Sequence, residues 1–167
     1  MRILEEMLKA EMDVLERTSG LPIDAVSLAV ASNIWRASQL FRQTMEREVL
    51  QKHNLTWASF STLFIVWIWG PIEMGGIAES QSVGRSTVTS TVGLLEKRGL
   101  CTRAHMDGNR RSVMVTLTPE GEDLIERVFP EFNRQEKAFV SALDEDEAET
   151  LTRLLRKVVA AQVDRDK

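Results

Sequence analysis

The fold is decided by residues 84–118, which read GRSTVTSTVGLLEKRGLCTRAHMDGNRRSVMVTLT. Near the start of this stretch the apolar residues Val88, Val92 and Leu95 recur every three or four positions, which predicts the buried face of an α-helix. Another face of the same helix would be small and polar, with Ser86, Thr89, Ser90, Gly93 and Lys97. Gly99 follows a basic last turn, which is typical of a helix C-terminus.

A β-hairpin is predicted directly after this helix. Apolar and polar residues alternate over residues 100–106 and again over residues 112–117, which is the pattern of two half-buried strands. Between them, Asp107-Gly108-Asn109 is a turn signal. Arg110 and Arg111 therefore stand at the tip of the predicted hairpin.

A helix with a slim polar face, followed by an arginine-tipped hairpin, is the pattern of a winged helix. Such a helix fits the major groove of duplex DNA, where hydroxyl groups and arginines reach base edges. The hairpin would reach the phosphate backbone or the minor groove. The alternative at this point is an ordinary surface helix beside a β-ribbon. On the first interpretation the candidate DNA-binding residues are Arg85, Ser86, Thr87, Thr89, Ser90, Arg103, Arg110 and Arg111.

Charge is unevenly distributed along the chain. The 167 residues include 21 Lys and Arg against 25 Asp and Glu, which gives a net charge of −4. Residues 84–118 contain six basic and two acidic residues, a net charge of +4, so the remainder of the chain carries −8. A basic island in an acidic protein is expected of a nucleic-acid-binding surface.

Several segments of this stretch, taken together, resemble the MarR (multiple antibiotic resistance regulator) family. They are residues 85–89, 95–100, 110–113 and 117–121. Their order and spacing carry the resemblance, which extends over about residues 25–160. The resemblance implies a dimeric winged helix-turn-helix regulator of transcription, of a kind often released from DNA by a small molecule.

The chain departs from the usual pattern of that family at three places. Asn109 stands where the family usually has Asp, and Ser90 stands where it often has Arg. Gly93-Leu94 replaces an Asp-Arg pair. The recognition helix therefore carries fewer charges than usual, and we expect DNA binding to depend more on the hairpin.

Composition and length indicate a globular protein, with 43% hydrophobic and 28% charged residues. The length fits one domain, or one domain with long helical arms. A single cysteine excludes an intramolecular disulfide framework and fits a reducing cytoplasm. The longest apolar run, residues 63–69, is far shorter than the ~20 residues that span a bilayer. We therefore expect a cytoplasmic protein with no membrane partner.

The expected fold class is mainly α with a small β-hairpin wing. A winged helix-turn-helix lobe at about residues 55–118 would be flanked by dimerisation helices at about residues 23–52 and 119–163, all within one domain over residues 23–163. Residues 1–22 would form an N-terminal helical extension. Since the terminal helices carry apolar stripes beyond the core of the lobe, we expect a homodimer that presents two recognition helices to a palindromic operator on double-stranded DNA.

Two details of the terminal helices are further expectations. Pro130 is expected to kink or break the helix that starts after Thr118. The extension over residues 1–22 either packs on its own protomer, which we favour, or clasps the partner chain.

Four tryptophans lie in two predicted helices that should touch: Trp35, Trp57, Trp67 and Trp69. Aromatic residues at helical spacing usually belong to a core. The sharper hypothesis is an apolar pocket for an aromatic acid or another planar amphiphile. This effector-binding site would have Trp35, Phe60, Phe64 and Trp67 as walls, with Arg42 or His53 as the polar handle. A bound effector would then change the spacing of the two recognition helices.

Catalysis is poorly supported by the residue inventory. The two histidines, His53 and His105, have no serine, aspartate or cysteine partner at a telling spacing. No phosphate-binding glycine loop and no cluster with metal-ligand spacing is visible in the sequence. We therefore expect no enzyme activity, no metal site and no cofactor. Cys101 is expected to be a small packed residue rather than a redox sensor.

The function predicted from the sequence is a dimeric DNA-binding transcriptional regulator. We expect a repressor that is released by a small aromatic or amphipathic effector. The alternative is a winged-helix protein–protein interaction module without an effector, with which the small recognition face and the acidic composition are also consistent.

Overall fold

The computed structural model describes residues 8–106 and 109–163. The start of the predicted extension, residues 1–7, and two residues of the predicted turn, Asp107 and Gly108, lie outside the described residues. For residues 106 and 109–111 the backbone alone is described.

The chain divides into two units, Met1–Thr44 and Met45–Lys167. The α-helices of the described residues are α1 (Lys9–Thr18), α2 (Ala25–Glu48), α3 (Trp57–Trp69), α4 (Met74–Gln81), α5 (Arg85–Lys97), α6 (Pro119–Phe139) and α7 (Glu145–Val163). The strands are β1 (Ile72–Glu73), β2 (Cys101–Met106) and β3 (Asn109–Leu117), and a 3-10 helix spans Leu50–His53.

The first unit consists of α1 and most of α2. Asp24 caps α2, because its Oδ1 accepts a hydrogen bond from the backbone N–H of Ser27 at 2.6 Å. On α1, the carboxylate of Glu11 accepts hydrogen bonds from the backbone N–H of Leu8 at 2.9 Å and from Nδ2 of Asn33 at 2.7 Å. These two donors, Leu8 first, hold the pKa of Glu11 below its usual value. The extension therefore contacts α2 of its own chain through a charge-assisted hydrogen bond.

The core of the second unit is built around α3, which packs against α4, α5, α6 and β3. Thr56 caps this helix by accepting a hydrogen bond from the N–H of Ser59 at 3.2 Å. A second N–H at the same end, that of Trp57, donates to Oε1 of Glu46 at 2.8 Å. The fully buried side chains of the unit include Leu63, Ile77, Val88, Val92, Leu95 and Ile125.

The sheet has the strand order β1-β3-β2, and both pairs are antiparallel. β2 and β3 form the predicted hairpin, in which Cys101 lies opposite Leu117 and His105 opposite Val113. β1 adds a third strand, with Ile72 opposite Val115. This strand was not predicted, because two residues are too short to show the alternation of a strand.

A tight turn joins α4 to α5. In this turn Ser82 adopts a left-handed backbone conformation with φ of 52°, and its N–H donates to the carbonyl group of Glu79 at 3.0 Å. Two consecutive helices followed by an antiparallel hairpin form a winged helix-turn-helix lobe. The fold class predicted from the sequence is therefore confirmed.

α6 starts where the sequence predicts, since Thr118 accepts a hydrogen bond from the N–H of Gly121 at 3.1 Å. Glycine is required there, because a Cβ would lie 2.0 Å from the carbonyl oxygen of Leu100. The helix then runs through Pro130 to Phe139, so the expected alternative of a break is wrong. Proline has no N–H, so the carbonyl group one turn earlier lacks its usual helical partner. Pro130 is exposed, and water can therefore donate a hydrogen bond to that carbonyl group.

α7 begins with a reciprocal cap. Oδ1 of Asp144 accepts a hydrogen bond from the N–H of Glu147 at 2.9 Å, and Oε2 of Glu147 accepts one from the N–H of Asp144 at 3.0 Å. None of the residues of this helix is buried in the described structure. Its exposed apolar side chains are Leu151, Leu154, Leu155, Val158, Val159 and Val163.

Candidate nucleic-acid interface

The recognition helix α5 has one buried face and one exposed face. Val88, Val92 and Leu95 anchor it in the core of the lobe. Gly84 precedes the helix, and Gly99 follows it with a φ of 71°, a conformation that favours glycine. Five predicted DNA-binding residues are all exposed, namely Arg85, Ser86, Thr87, Thr89 and Ser90. The sequence therefore predicted correctly which face of α5 is open to solvent.

Two threonines of α5 bond its backbone. The hydroxyl group of Thr89 donates to the carbonyl oxygen of Arg85 at 2.9 Å, and that of Thr91 donates to the carbonyl oxygen of Thr87 at 2.9 Å. Each hydroxyl proton is used within the helix, while the oxygen keeps lone pairs that can accept. Amino groups of adenine and cytosine in the major groove are suitable donors to such an oxygen.

Arg103 pairs with Glu96 at the end of α5. Nε of Arg103 donates to Oε2 of Glu96 at 2.9 Å, and Nη2 contacts the same oxygen. This hydrogen bond lowers the pKa of Glu96 and raises that of Arg103. Arg103, predicted from the sequence to bind DNA, is thus held by a carboxylate, whose negative charge offsets the attraction of Arg103 for an external anion.

A second arginine of the basic island also has an internal partner. Nη1 of Arg98 donates to the backbone carbonyl oxygen of Asn54 at 2.7 Å. Asn54 itself has a φ of 54°, which places its carbonyl group at the end of the 3-10 helix. The contact links the C-terminal end of α5 to the segment before α3. Sequence analysis missed this structural role, because the partner lies 44 residues earlier in the chain.

The wing carries the other two predicted DNA-binding arginines. Arg110 and Arg111 belong to β3 by their backbone, near the end of the hairpin. Their side chains lie outside the described residues. Their role in binding DNA therefore stays a prediction from the sequence.

A groove of about 530 Å³ separates α5 from β2 and β3. Thr89, Glu96 and Arg103 are among its lining residues. A recess of about 210 Å³ next to Thr89 is lined in part by Glu73 and Arg85. Both acidic and basic groups therefore lie along this side of α5.

The predicted effector residues of α3 pack against α6. The ring of Phe60 is 4% exposed and stacks on that of Phe132, with centroids 4.3 Å apart. Phe129 lies 5.3 Å from Phe64 and 5.7 Å from Trp67, centroid to centroid. Phe60 is therefore a core residue, whereas Phe64, Trp67 and Phe129 are only partly buried. The sequence did not reveal Phe129 and Phe132 as partners, because periodicity within one helix does not show which helix it meets.

The predicted polar handles of the effector site have separate surroundings. Nε2 of His53 lies 3.2 Å from Oε2 of Glu131 on α6, and this contact holds the pKa of Glu131 below its usual value. Trp35 and Arg42 belong to the first unit, on α2, where Trp35 is 63% exposed. An anionic ligand at His53 would meet the carboxylate of Glu131.

Cys101 is buried at the start of β2. Burial, followed by the charge of Glu96, raises the pKa of its thiol to about 11. Its Sγ donates to the carbonyl oxygen of Val92 at 3.7 Å. Since the thiolate is the reactive form, Cys101 is a packed residue, as the sequence analysis favoured.

Two structural features are absent from residues 8–106 and 109–163. In this part of the chain, no three His, Cys, Asp or Glu side chains are grouped so that they could hold a metal ion. No helix within the same residues combines the length and the apolar character needed to cross a membrane.

The lobe has the architecture of a winged helix-turn-helix DNA-binding protein, and comparisons identify its family. The sequence profile described as "MarR family" matches residues 55–113. The chain is 35% identical over 157 residues, 92% of each chain, to the Bacillus subtilis protein named "Uncharacterized HTH-type transcriptional regulator YwaE". The chain therefore belongs to the MarR family of DNA-binding transcriptional regulators, which are not enzymes.

Solved structures of similar fold include a complex with DNA. BpsR of Bordetella bronchiseptica is 27% identical, with a TM-score of 0.71 over 78% of this chain and 98% of that chain. Its structure concerns the regulation of DNA binding by 6-hydroxynicotinic acid. The Staphylococcus aureus MepR–DNA complex is 24% identical, with a TM-score of 0.70 over 78% of this chain and 96% of that chain, and shows likeness of fold. The family and the fold class predicted from the sequence are confirmed by these comparisons.

Proposed function

We propose that this MarR-family regulator is a cytoplasmic homodimer that represses transcription by binding a palindromic operator, and that a small aromatic or amphipathic effector releases it. The observation that carries the proposal is the exposed face of α5, which presents one arginine and four hydroxyl-bearing side chains above a fully buried apolar face. Short polar side chains allow a helix to approach base edges closely, and arginine bonds guanine or phosphate.

The wing supplies a second contact to the duplex. Arg110 and Arg111 follow the turn of the hairpin in sequence. Because Arg98 and Arg103 have partners within the protein, the wing arginines, Arg85 and the exposed Lys97 become the main cationic contacts to the phosphate backbone. The proposed binding mode therefore joins base contacts from α5 to phosphate contacts from the wing.

The dimer is supported by α7. This helix has 19 residues, and none of them is buried in the described structure. Its apolar face is therefore exposed to solvent in the single chain. A two-fold related copy can cover this face, because an isologous interface buries the same surface of both protomers. The dimer would present two copies of α5 to half-sites about 34–36 Å apart.

The effector is proposed to bind near the partly exposed rings of α3 and α6, Phe64, Trp67 and Phe129. The support is the aromatic character of these side chains and the relative BpsR, whose DNA binding is regulated by 6-hydroxynicotinic acid. Of the other residues predicted from the sequence, Phe60 belongs to the core, whereas Trp35, Arg42 and His53 stay predictions from the sequence. Titration with planar aromatic acids should quench tryptophan fluorescence, and the quenching should be reduced in Trp67→Phe.

An electrophoretic mobility-shift assay tests the proposal as a whole. The duplex lies upstream of the protein's own gene, and a fragment of equal length from within the coding region serves as the control. We expect a shift of the upstream duplex at lower protein concentration than the control, and reversal of the shift by an aromatic acid such as 6-hydroxynicotinic acid. Absence of any shift at low salt would contradict DNA binding and would favour the protein–protein interaction module.

A further inference from the structure

Leu94 is an exposed apolar side chain on the recognition helix. It is 52% exposed, whereas the other large apolar residues of α5, Val88, Val92 and Leu95, are almost fully buried. A single exposed leucine is common on protein surfaces, so its position is what matters. Leu94 lies one turn after Ser90 and two turns after Thr87 on the helix. It therefore belongs to the exposed face that the proposed function turns toward DNA.

Packing within the described structure does not explain why residue 93, beside Leu94, is a glycine. A Cβ at Gly93 would meet no atom within 4 Å, in contrast to Gly121, where it would collide with the backbone of Leu100. Glycine inside a helix costs about 1 kcal/mol relative to alanine. No contact in the described protein offsets this cost at Gly93. A surface that approaches from outside can use the missing side chain, because it can come closer to the helix backbone.

The charged residues on the same helix as Leu94 indicate which class of partner binds there. Arg85 and Lys97 stand exposed at the two ends of α5, which favours a polyanion over an apolar protein partner. Within the major groove, the apolar group on a base edge is the C5-methyl group of thymine. An apolar side chain contacts this methyl group, and neither guanine nor cytosine offers an equivalent.

We propose that Leu94 is a specificity-determining residue that contacts a thymine methyl group in each half-site, and that Gly93 allows the close approach this contact needs. The proposal rests on the proposed function of α5. It goes further, because it names one base and the residue that distinguishes it.

The test replaces thymine by uracil, which removes only the methyl group. A duplex is first selected from a random pool with the wild-type protein, and each thymine of its half-sites is then changed to uracil in turn. Burying one methyl-sized group contributes about four-fold in affinity. We expect one thymine per half-site at which uracil weakens binding about four-fold, and no such effect in Leu94→Ala. Leu94→Met, which keeps an apolar side chain, should restore the difference.

Two further variants of α5 serve as controls. Lys97→Ala should weaken binding to the thymine-containing duplex and to its uracil-substituted form by the same factor. The ratio of the two affinities should therefore equal that of the wild-type protein. Gly93→Ala should raise the thermal midpoint or leave it unchanged, because alanine favours a helix, and should still weaken binding of the selected duplex. A loss of binding in Gly93→Ala therefore cannot be due to unfolding.

Three results would overturn the proposal. They are a selected half-site without thymine, an equal response of wild type and Leu94→Ala to uracil, and tighter binding by Gly93→Ala. Failure of the proposed function gives a different result, because the wild-type protein would then enrich no duplex from the random pool and would not bind genomic DNA at low salt. That outcome would overturn both proposals.

Discussion

Nε of Arg103, on β2, donates a hydrogen bond to Oε2 of Glu96, on α5, at 2.9 Å. The pair connects the sheet to the last turn of the recognition helix, and both side chains are about one-third exposed. It therefore contributes to the angle at which the wing stands beside α5.

The Glu96–Arg103 pair predicts a pH dependence of stability. The pKa of Glu96 is lowered in the folded state by the hydrogen bond from Arg103. The stabilisation is therefore present above the unfolded pKa of about 4.3 and is lost as the pH falls through the lower folded pKa. Glu96→Gln should lower the urea midpoint at pH 7, and the difference from wild type should shrink toward pH 3.

The control for this experiment is Glu126→Gln, which changes an exposed carboxylate on α6. A difference between Glu96→Gln and wild type that is the same at pH 3 and pH 7 would contradict the role of the ion pair.

Replacing both wing arginines should weaken binding to DNA of any base sequence to a similar extent. Arg110→Ala/Arg111→Ala removes two cations per protomer. Each lost phosphate contact reduces the slope of log K against log salt concentration by about 0.9. In fluorescence anisotropy titrations between about 50 and 200 mM salt, we expect the slope of log K against log salt concentration to be flatter by about 1.8 per protomer.

A matched double variant tests the specificity of that effect. Arg127→Ala/Lys137→Ala removes two exposed cations from α6 and should leave the slope close to that of wild type. An unchanged slope in the wing variant would show that Arg110 and Arg111 do not contact phosphate.

A charge on the apolar face of α7 should dissociate the proposed dimer. Leu154→Glu places a carboxylate on the face proposed to meet the second copy. Burial of an unpaired charge is strongly unfavourable, so we expect the dimer dissociation constant to rise by about ten-fold or more in sedimentation velocity. Ala160→Glu adds the same charge to the opposite side of the helix and should leave the dimer intact. Equal behaviour of the two variants would place the interface elsewhere.

Cys101 should react slowly with thiol reagents in the folded protein. Its buried thiol has a pKa raised to about 11, so very little thiolate is present at pH 8. Labelling with a disulfide reagent should be slow in buffer and fast in denaturant. Peroxide should leave DNA affinity unchanged in wild type and in Cys101→Ser alike. Rapid labelling of the native protein, or loss of DNA binding on oxidation, would reopen a redox role.

Local patterns in the sequence were sufficient for most of the fold. The start of α6 after Thr118 was predictable, because the hydroxyl group of Thr118 bonds an N–H only three residues away. The buried face of α5 was visible because it follows one helical period. These features depend on residues close together in the chain.

Features that depend on distant residues were not predictable in the same way. Strand β1 is defined by its pairing with β3 and has no period of its own. Arg98 and Arg103 read as free basic residues, because their partners Asn54 and Glu96 are known only from the folded lobe. For the same reason the sequence could not assign Phe60 to the core rather than to a ligand pocket.

The central claim is that the exposed face of α5 binds duplex DNA. The most direct measurement is an anisotropy titration of a labelled duplex from upstream of the protein's own gene, with wild type, Ser90→Glu and Ser141→Glu. Ser90 lies on the exposed face of α5, and Ser141 is an exposed residue between α6 and α7. We predict that wild type and Ser141→Glu bind alike and that Ser90→Glu loses binding, because its carboxylate would face the phosphates. Equal affinity of all three proteins would contradict the account.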